Sequence, residues 1–418
     1  MKHVLGVMAV VVGVSSLAGC TQEVSDAQGE DSISSQADAV LVTPSALSKG
    51  TRRDYDGDGK EDVMFMDADF GTFQVLGKSP GGFNQSAGTY VNSQMNGSNT
   101  YLQAGDFNKD GRTDLLVTTT SGTAEWTGKA GGGFNYNVWS SSTLKLISGS
   151  GPNFDATIGD FNGDGFTDFI ATTSAGSYLY TGKATGFNAN VWSNTTAAFR
   201  RGNVTFTAGN FDSNATTDFI ATTATASTLY LGSTGTGGFG AGGWSSTALR
   251  NDVYPNVTRF IVGNFNGVGA DDFIVQTGAG AFLYTSAAGS MFTQHAWSAP
   301  ALEITGSKLA PGDFNGDGCW DFLYQDGSAL RIRTYKQGTP AVPGTFNAAV
   351  LVDTRFPVFY DSSIRTGDFT GDGRDDFIIQ TRPTTGNGSY EFTGTSAATG
   401  GFNKDVWTST MFWQNSAF

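Results

Sequence analysis

The stretch Gly159-Asp160-Phe161-Asn162-Gly163-Asp164-Gly165-Phe166-Thr167-Asp168-Phe169 is a short acidic loop that runs directly into an apolar strand. In a nine-residue frame starting at Asp160, polar residues occupy positions 1, 3, 5 and 9, and Gly165 stands at position 6, where the chain must turn sharply. Calcium takes about six to eight hard oxygen ligands, and alternate residues of a tightly curled loop can aim their oxygens at one centre. Position 7 lends such a site only its backbone carbonyl, so its side chain is free to vary.

Variants of the loop begin at Asp54, Asp106, Asp160, Asn210, Asn264, Asp313 and Asp368, spaced 49 to 55 residues apart. A fixed period of this length is the signature of a repeat architecture. Position 7 does vary: Lys60, Arg112, Phe166, Thr216, Ala270, Cys319 and Arg374 occupy it. Each loop follows a short strand such as Ala156-Thr157-Ile158 and enters an apolar run such as Phe169-Ile170-Ala171 or Phe377-Ile378-Ile379. Unbroken apolarity bounded by turns suits a strand buried on both faces. A third strand follows (Ser177-Tyr178-Leu179-Tyr180), then Gly-rich turns and a fourth strand from Gly186 to Trp192. Four short strands sandwiched between similar neighbours make one propeller blade. The expected fold is all-β, a seven-bladed β-propeller of four-stranded antiparallel blades over residues 49–418. The 58 glycines oppose helix formation.

Five loops keep the full donor set. The expected metal-site residues, with position 7 giving its carbonyl, are Asp54, Asp56, Asp58, Lys60 and Asp62 in blade 1, and Asp106, Asn108, Asp110, Arg112 and Asp114 in blade 2. Blade 3 offers Asp160, Asn162, Asp164, Phe166 and Asp168. Blade 6 offers Asp313, Asn315, Asp317, Cys319 and Asp321, and blade 7 offers Asp368, Thr370, Asp372, Arg374 and Asp376. The competing reading is an Asx-rich turn held by its own side-chain to backbone hydrogen bonds. Five copies with up to four converging carboxylates argue for a cation, since unscreened repulsion at that distance is large. Asn210, Asp212, Asn214 and Asp218 in blade 4 hold only two carboxylates, and Ala215 replaces the turn glycine. Blade 5 has Asn264, Asn266 and Asp272, with Val268 at a ligand position. Blade 4 is expected to be weak or empty and blade 5 empty. About five calcium sites follow, each adding ~1.4 kcal/mol when occupied at tenfold its dissociation constant.

The repeated Gly-Asp-Phe-Asn-Gly-Asp-Gly-x-x-Asp-Phe unit resembles the FG-GAP/VCBS repeats that build the seven-bladed propeller of integrin alpha subunits and of many bacterial surface proteins. That resemblance implies that the calcium loop joins the first two strands of each blade and that partners bind the opposite face. It is specific for fold and calcium, and leaves adhesins, lectins and accessory domains of enzymes all open.

The N-terminus has one charge, Lys2, an apolar run from Val4 to Val14, and then Leu17-Ala18-Gly19-Cys20. This run falls short of the ~20 residues of a membrane span and reads as an export signal over residues 1–19. Its ending resembles a bacterial lipoprotein signal, which implies lipidation of Cys20 and anchoring to a membrane surface without crossing it. Thr21 follows, and by resemblance to lipoproteins of diderm bacteria this favours the outer membrane. An ordinary secretory signal that ends near a cysteine is the alternative. Residues 20–48 read as a flexible tether, with residues 39–42 as a candidate extra strand. If Cys20 is acylated, the only other cysteine, Cys319, is expected to be a free thiol.

The formal charge is −14, and half of the 38 acidic residues sit at loop positions, so the acidity belongs largely to the candidate metal sites. Nucleic acid is an unsuitable partner for such a chain. Trp139, Trp192, Trp244, Trp297 and Trp407 each follow a Phe by five residues, which puts the two rings on opposite strand faces. They either wedge blades together or form sugar-stacking platforms. Gly77-Lys78-Ser79-Pro80-Gly81 matches a hydrolase nucleophile pattern, but Pro80 lacks the N–H its oxyanion hole needs. Gly235, Gly237 and Gly240 match a dinucleotide fingerprint with no helix behind it. His295, the one histidine outside the signal, is expected to be exposed on a fourth strand, so most histidine acid–base schemes are excluded. The leading expectation is a surface-anchored propeller that binds a glycan or protein partner without catalysis. The rivals are a polysaccharide lyase or hydrolase and a structural envelope protein.

Overall fold

The computed structural model describes residues 53–409 together with Ser34 and Ser35. The stretches 68–70, 93–99, 148–150, 236–237, 252–258, 288–290, 300–301, 303–308, 326–328, 337–343, 357–361, 382–387 and 397–400 lie outside that description. The export signal, Cys20, the rest of the tether and the candidate strand at 39–42 lie outside the described residues as well. Ser34–Ser35 pairs antiparallel with Ile158 and Gly159 of blade 3.

The chain forms a seven-bladed antiparallel propeller. Blade 4 shows the plan: Val204–Gly209, Asp218–Thr223, Ser227–Gly232 and Phe239–Ser246 pair in chain order. First strands of successive blades touch one another, which places them at the axis. In blade 1 the described residues give the last three strands, Val63–Asp67, Gly71–Gly77 and Phe83–Asn92. The one helical turn among the described residues is Ala197–Phe199.

The expected fourth strand of blade 3 is interrupted. It forms as Gly186–Asn188 and Ser193–Asn194, and between them Asn190 takes φ 57°. Asn137 and Asp405 do the same two residues before Trp139 and Trp407, where the ladders of blades 2 and 7 shift register. Asn and Asp tolerate this left-handed conformation better than other side chains, and a bulge there re-aims the outer strand.

Rings from adjoining blades interlock in two layers. The aromatic at loop position 2 meets the first Phe of the next blade's outer strand edge to face, in the pairs Tyr55–Phe134, Phe107–Phe187, Phe161–Phe239, Phe211–Phe292, Phe265–Phe346, Phe314–Phe402 and Phe369–Phe83. Their centroids lie 5.3–5.9 Å apart. The last pair closes the ring between blades 7 and 1. Trp139, Trp192, Trp244 and Trp297 each meet the outer-strand Phe of the following blade at 4.9–5.2 Å. Phe134 therefore faces the blade before and Trp139 the blade after, the opposite-face arrangement that their spacing implies. These four tryptophans wedge blades together.

The five connectors from blade 2 to blade 7 each also drop an apolar residue into the seam: Leu144, Phe199, Leu249, Leu302 and Phe356 are buried. Buried polar groups hold several of them. Thr123 and Ser177 donate to the carbonyls of Leu144 and Phe199 at 2.8 Å, and the Gln276 and Gln325 amides donate to those of Leu302 and Phe356.

Phe169 is wholly buried, stacked on Tyr180 and edge-on to Phe187 and Trp139. Phe169→Ala is expected to cost ~3–5 kcal/mol by opening a cavity. Val138→Ser, on an exposed side chain next to the wedge, is expected to stay within about 0.5 kcal/mol. Denaturant unfolding of the two variants checks this pair.

Candidate metal loops

In every loop the position-9 aspartate is the hub. Asp62, Asp114, Asp168, Asp218, Asp272, Asp321 and Asp376 are all buried; Asp62 immediately precedes the second strand of its blade and the other six start theirs. Each takes a backbone N–H from the end of the third strand, from Gly77, Gly128, Gly182, Gly232, Ser286, Tyr335 and Gly394 in turn, at 2.8–3.0 Å. In blades 1 to 4 the other oxygen takes the N–H of the position-2 aromatic, as from Phe161 to Asp168 at 2.9 Å. One carboxylate thus fixes the loop, its aromatic wedge and the third strand together. Burial pushes the carboxyls of Asp62, Asp114, Asp168, Asp218, Asp272 and Asp376 up to about 8, against the opposing pull of these N–H donors. Asp321 is raised well above the carboxylate range for the same reason.

The rest of the loop is a ladder of Asx turns. In blade 3, Asp160 accepts from Gly163 and Gly165 at 2.7 Å and from Asp164 at 3.2 Å. Asn162 then accepts from Asp164, and Asp164 from Phe166, both at 2.9 Å. Gly165 has φ 82°, the conformation the turn requires. Blade 6 repeats the pattern through Asp313, Asn315 and Asp317, the last accepting from the Cys319 N–H. Asp54, Asp56 and Asp58 carry it in blade 1, Asp106, Asn108 and Asp110 in blade 2. In blade 7, Asp368 and Asp372 carry it, and Thr370 donates its N–H to Asp376.

The carboxylates converge most in blade 1, where ligand atoms of Asp54, Asp56 and Asp58 lie within 4.8 Å of one another. Oxygen donors in this number suit a hard divalent cation. The position-7 side chains do more than vary. Lys60, Arg112 and Arg374 pair with the position-5 carboxylates Asp58, Asp110 and Asp372. Charge repulsion in blades 1, 2 and 7 is therefore partly relieved by the chain itself, while Phe166 and Cys319 bring no charge to blades 3 and 6.

Blades 4 and 5 keep the loop shape with amides. The Asn210 side chain donates to the Asn214 carbonyl at 2.7 Å, and Ser213 takes φ 63°. In blade 5 the Val268 N–H reaches the side chains of both Asn264 and Asn266, at 3.0 and 2.7 Å.

Two expectations change. Cys319 is disulfide-bonded and not a free thiol. That expectation presumed an acylated Cys20, the sequence's one other cysteine, which lies outside the described residues. His295 is half-buried, not exposed, with Nε2 2.8 Å from the Thr285 hydroxyl, and burial lowers its pKa. The residue that loop chemistry alone leaves without a role is the position-2 aromatic; its recurrence in every copy is the available signal.

The FG-GAP-like repeat model matches residues 54–117, and the FG-GAP repeat model matches residues 102–139. These matches fall on blades 1 and 2. No curated protein matches the chain. Among solved structures, a lectin of Agrocybe aegerita, described for specific recognition of non-reducing terminal N-acetylglucosamine, shares the fold with a TM-score of 0.62 at 14% identity, over 86% of this chain and 95% of that one. The periplasmic gluconolactonase of Pseudomonas aeruginosa aligns at 8% identity over 85% and 98% of the two chains, with a TM-score of 0.46. A rhamnogalacturonan lyase of Bacillus licheniformis aligns at 11% over 87% and 76%, with a TM-score of 0.34.

The raised position-9 carboxyls give metal-free protein a definite pH dependence. Their folded pKa lies above the unfolded value, so between about pH 4 and pH 8 the folded state binds more protons and stability falls as pH rises. Thermal melts in excess chelator are expected to give a higher Tm at pH 6 than at pH 8. A Tm that rises with pH over that interval contradicts the assignment.

Proposed function

We propose that this protein is a calcium-stabilised recognition module of the bacterial cell envelope, which binds a glycan or another protein and carries out no chemistry of its own. The observation that supports it best is the repetition of one rigid unit around a closed ring, with the three-carboxylate cluster of Asp54, Asp56 and Asp58 at its most acidic loop. A ring of near-identical edges suits several weak contacts made at once, which raises avidity without any tight single site. Glycans are the class to test first, because the lectin that shares this fold binds a terminal sugar.

Calcium acts in this reading as a structural ion. The residues present fit it: oxygen donors at alternate positions, a glycine at the turn and a buried carboxylate behind the loop. Asp54, Asp56, Asp58 and Asp62 would hold the ion in blade 1, with the corresponding sets in blades 2, 3, 6 and 7. Chelation is expected to lower the thermal unfolding temperature and calcium to restore it. An unchanged unfolding temperature removes the calcium reading. A glycan array read with and without calcium tests the ligand class. Absence of glycan binding at every calcium level rejects the lectin form, and release of product from a polysaccharide moves the protein to the enzymes.

Export and anchoring rest on the first twenty residues. Among the described residues no helix is long and apolar enough to cross a membrane. The lipid anchor and the disulfide at Cys319 compete for one thiol, because Cys20 is the only other cysteine. Mass spectrometry of the mature N-terminal peptide is expected to show Cys20 as the first residue carrying acyl chains if the protein is an anchored lipoprotein. A peptide bearing Cys20 linked to Cys319 rejects the anchor.

A further inference from the structure

Seven seams separate the blades, and the seam between blades 2 and 3 contains buried polar groups that no described residue satisfies. Gln103, Leu116 and Glu125 lie opposite one another on the first, second and third strands of blade 2, so their side chains share one face. That face looks at blade 3, because Leu116 belongs to the apolar cluster that includes Phe154, Phe169 and Phe187. Glu125 is 0% exposed and Gln103 3%. Among the described residues, both Glu125 oxygens and both Gln103 heteroatoms have no hydrogen-bond partner, and neither does the Thr167 hydroxyl of blade 3. Thr167 sits against Gly105, two residues from Gln103, where an added Cβ would come within 2.6 Å of its methyl. A buried carboxylate in such surroundings costs several kcal/mol unless something matches it.

The other seams show what is missing. In the seam between blades 7 and 1 the same row reads Arg365, Ile378 and Glu391, with Glu61 against Gly367 in the place of Thr167. Glu391 also accepts the Gly82 N–H of blade 1 at 2.7 Å. Between blades 1 and 2 the third-strand position is Gln74, uncharged, and it accepts the Gly133 N–H at 2.8 Å. In blades 3, 4 and 5 it is Leu179, Leu229 and Leu283, all buried. Only Glu125 has a charge in this row with neither an arginine on the first strand nor a turn N–H from the next blade. The turn of blade 3, from Gly182 to Phe187, is one residue shorter than that of blade 2, from Gly128 to Phe134.

We propose that the seam between blades 2 and 3 is a buried site for one monovalent metal cation, sodium or potassium, held by the oxygens of Glu125, Gln103 and Thr167 where Arg365 stands in the equivalent seam. A single carboxylate with two neutral oxygens balances one positive charge, which separates this site from the calcium loops with their three or four carboxylates. Asp114, whose carboxyl feels the Glu125 charge, adds to the negative potential at the site. Burial raises the Glu125 carboxyl to about 7, so the site is expected to fill more completely as pH rises above neutrality.

The full chain, kept in saturating calcium, is melted at constant ionic strength in sodium, potassium and tetramethylammonium chloride. The small cations are expected to raise Tm by about 2 °C or more over tetramethylammonium, and Glu125→Leu to abolish the difference. Gln103→Arg, which copies the row of blade 7, provides a second variant should the first fail to fold, and is expected to be equally indifferent to the salt. Crystals soaked in thallium(I) are expected to show an anomalous peak between Gln103 and Glu125. Equal Tm values in the three salts, a difference that persists in either variant, or a thallium-free seam overturns the proposal.

Discussion

Seven backbone hydrogen bonds hold the ring, and they are the same bond. The residue before each position-9 aspartate donates its N–H to the position-1 carbonyl of the preceding blade's loop: Glu61 to Asp368, Thr113 to Asp54, Thr167 to Asp106, Thr217 to Asp160, Asp271 to Asn210, Trp320 to Asn264 and Asp375 to Asp313, at 2.7–3.1 Å. Every loop is therefore both the hinge of its own blade and the acceptor for the next. Side chains reinforce the link where they can: the Asp271 and Asp375 carboxylates take the N–H groups of Asn210 and Asp313. The contact demands close backbone approach, and Gly77, Gly128, Gly182, Gly232 and Gly394 provide it, since a Cβ at any of them would lie within 2.4–2.6 Å of a loop carbonyl. Loop shape is thus a condition of ring closure, whatever occupies the loop.

The period, the strand order and the loop frame were all legible in the sequence because each is local. An Asx ladder involves residues two to five apart, and a second strand shows itself by its own apolarity. The opposite-face relation of Phe134 and Trp139 was legible for the same reason. What lies between blades was not. The position-2 aromatics, the connector residues Leu144, Phe199, Leu249, Leu302 and Phe356, and the row formed by Gln103 and Glu125 depend on which residue of the next repeat stands opposite, some 50 positions away. A charged residue in the middle of Gly122–Gly128 reads locally as a solvated strand face; only the neighbouring blade buries it. The interruption near Asn190 escaped for a different reason, since a bulge leaves the strand's composition unchanged.

The degraded loops separate shape from charge. Blades 4 and 5 hold the fold with Asn210, Asn214, Asn264 and Asn266, whose amides make the turn's hydrogen bonds without adding charge. Their position-9 aspartates, Asp218 and Asp272, remain, because those carboxylates serve the third strand as well as the loop. Position 9 is therefore under a structural constraint that positions 1 and 5 escape: these become Asn210 and Asn214 in blade 4 and Asn264 and Val268 in blade 5.

The same division orders the intact loops by how much a cation has to offer them. Blades 1, 2 and 7 already set Lys60, Arg112 and Arg374 against their position-5 carboxylates, and such partly exposed pairs relieve only a fraction of the repulsion. In blades 3 and 6 position 7 supplies no such counterion, and the Lys109 ammonium of blade 2 reaches the blade 3 loop at the Asp164 backbone carbonyl, 2.9 Å away, without pairing with a carboxylate. Asp160, Asp164 and Asp168 in one, and Asp313, Asp317 and Asp321 in the other, meet only amides and backbone donors, with two of each three carboxylates buried. An ion entering there would relieve charge that position 7 leaves unpaired while meeting a turn already shaped by its own hydrogen bonds, so little ordering entropy opposes binding. If a cation binds these loops, blades 3 and 6 are for this reason the ones where position 7 would compete with it least.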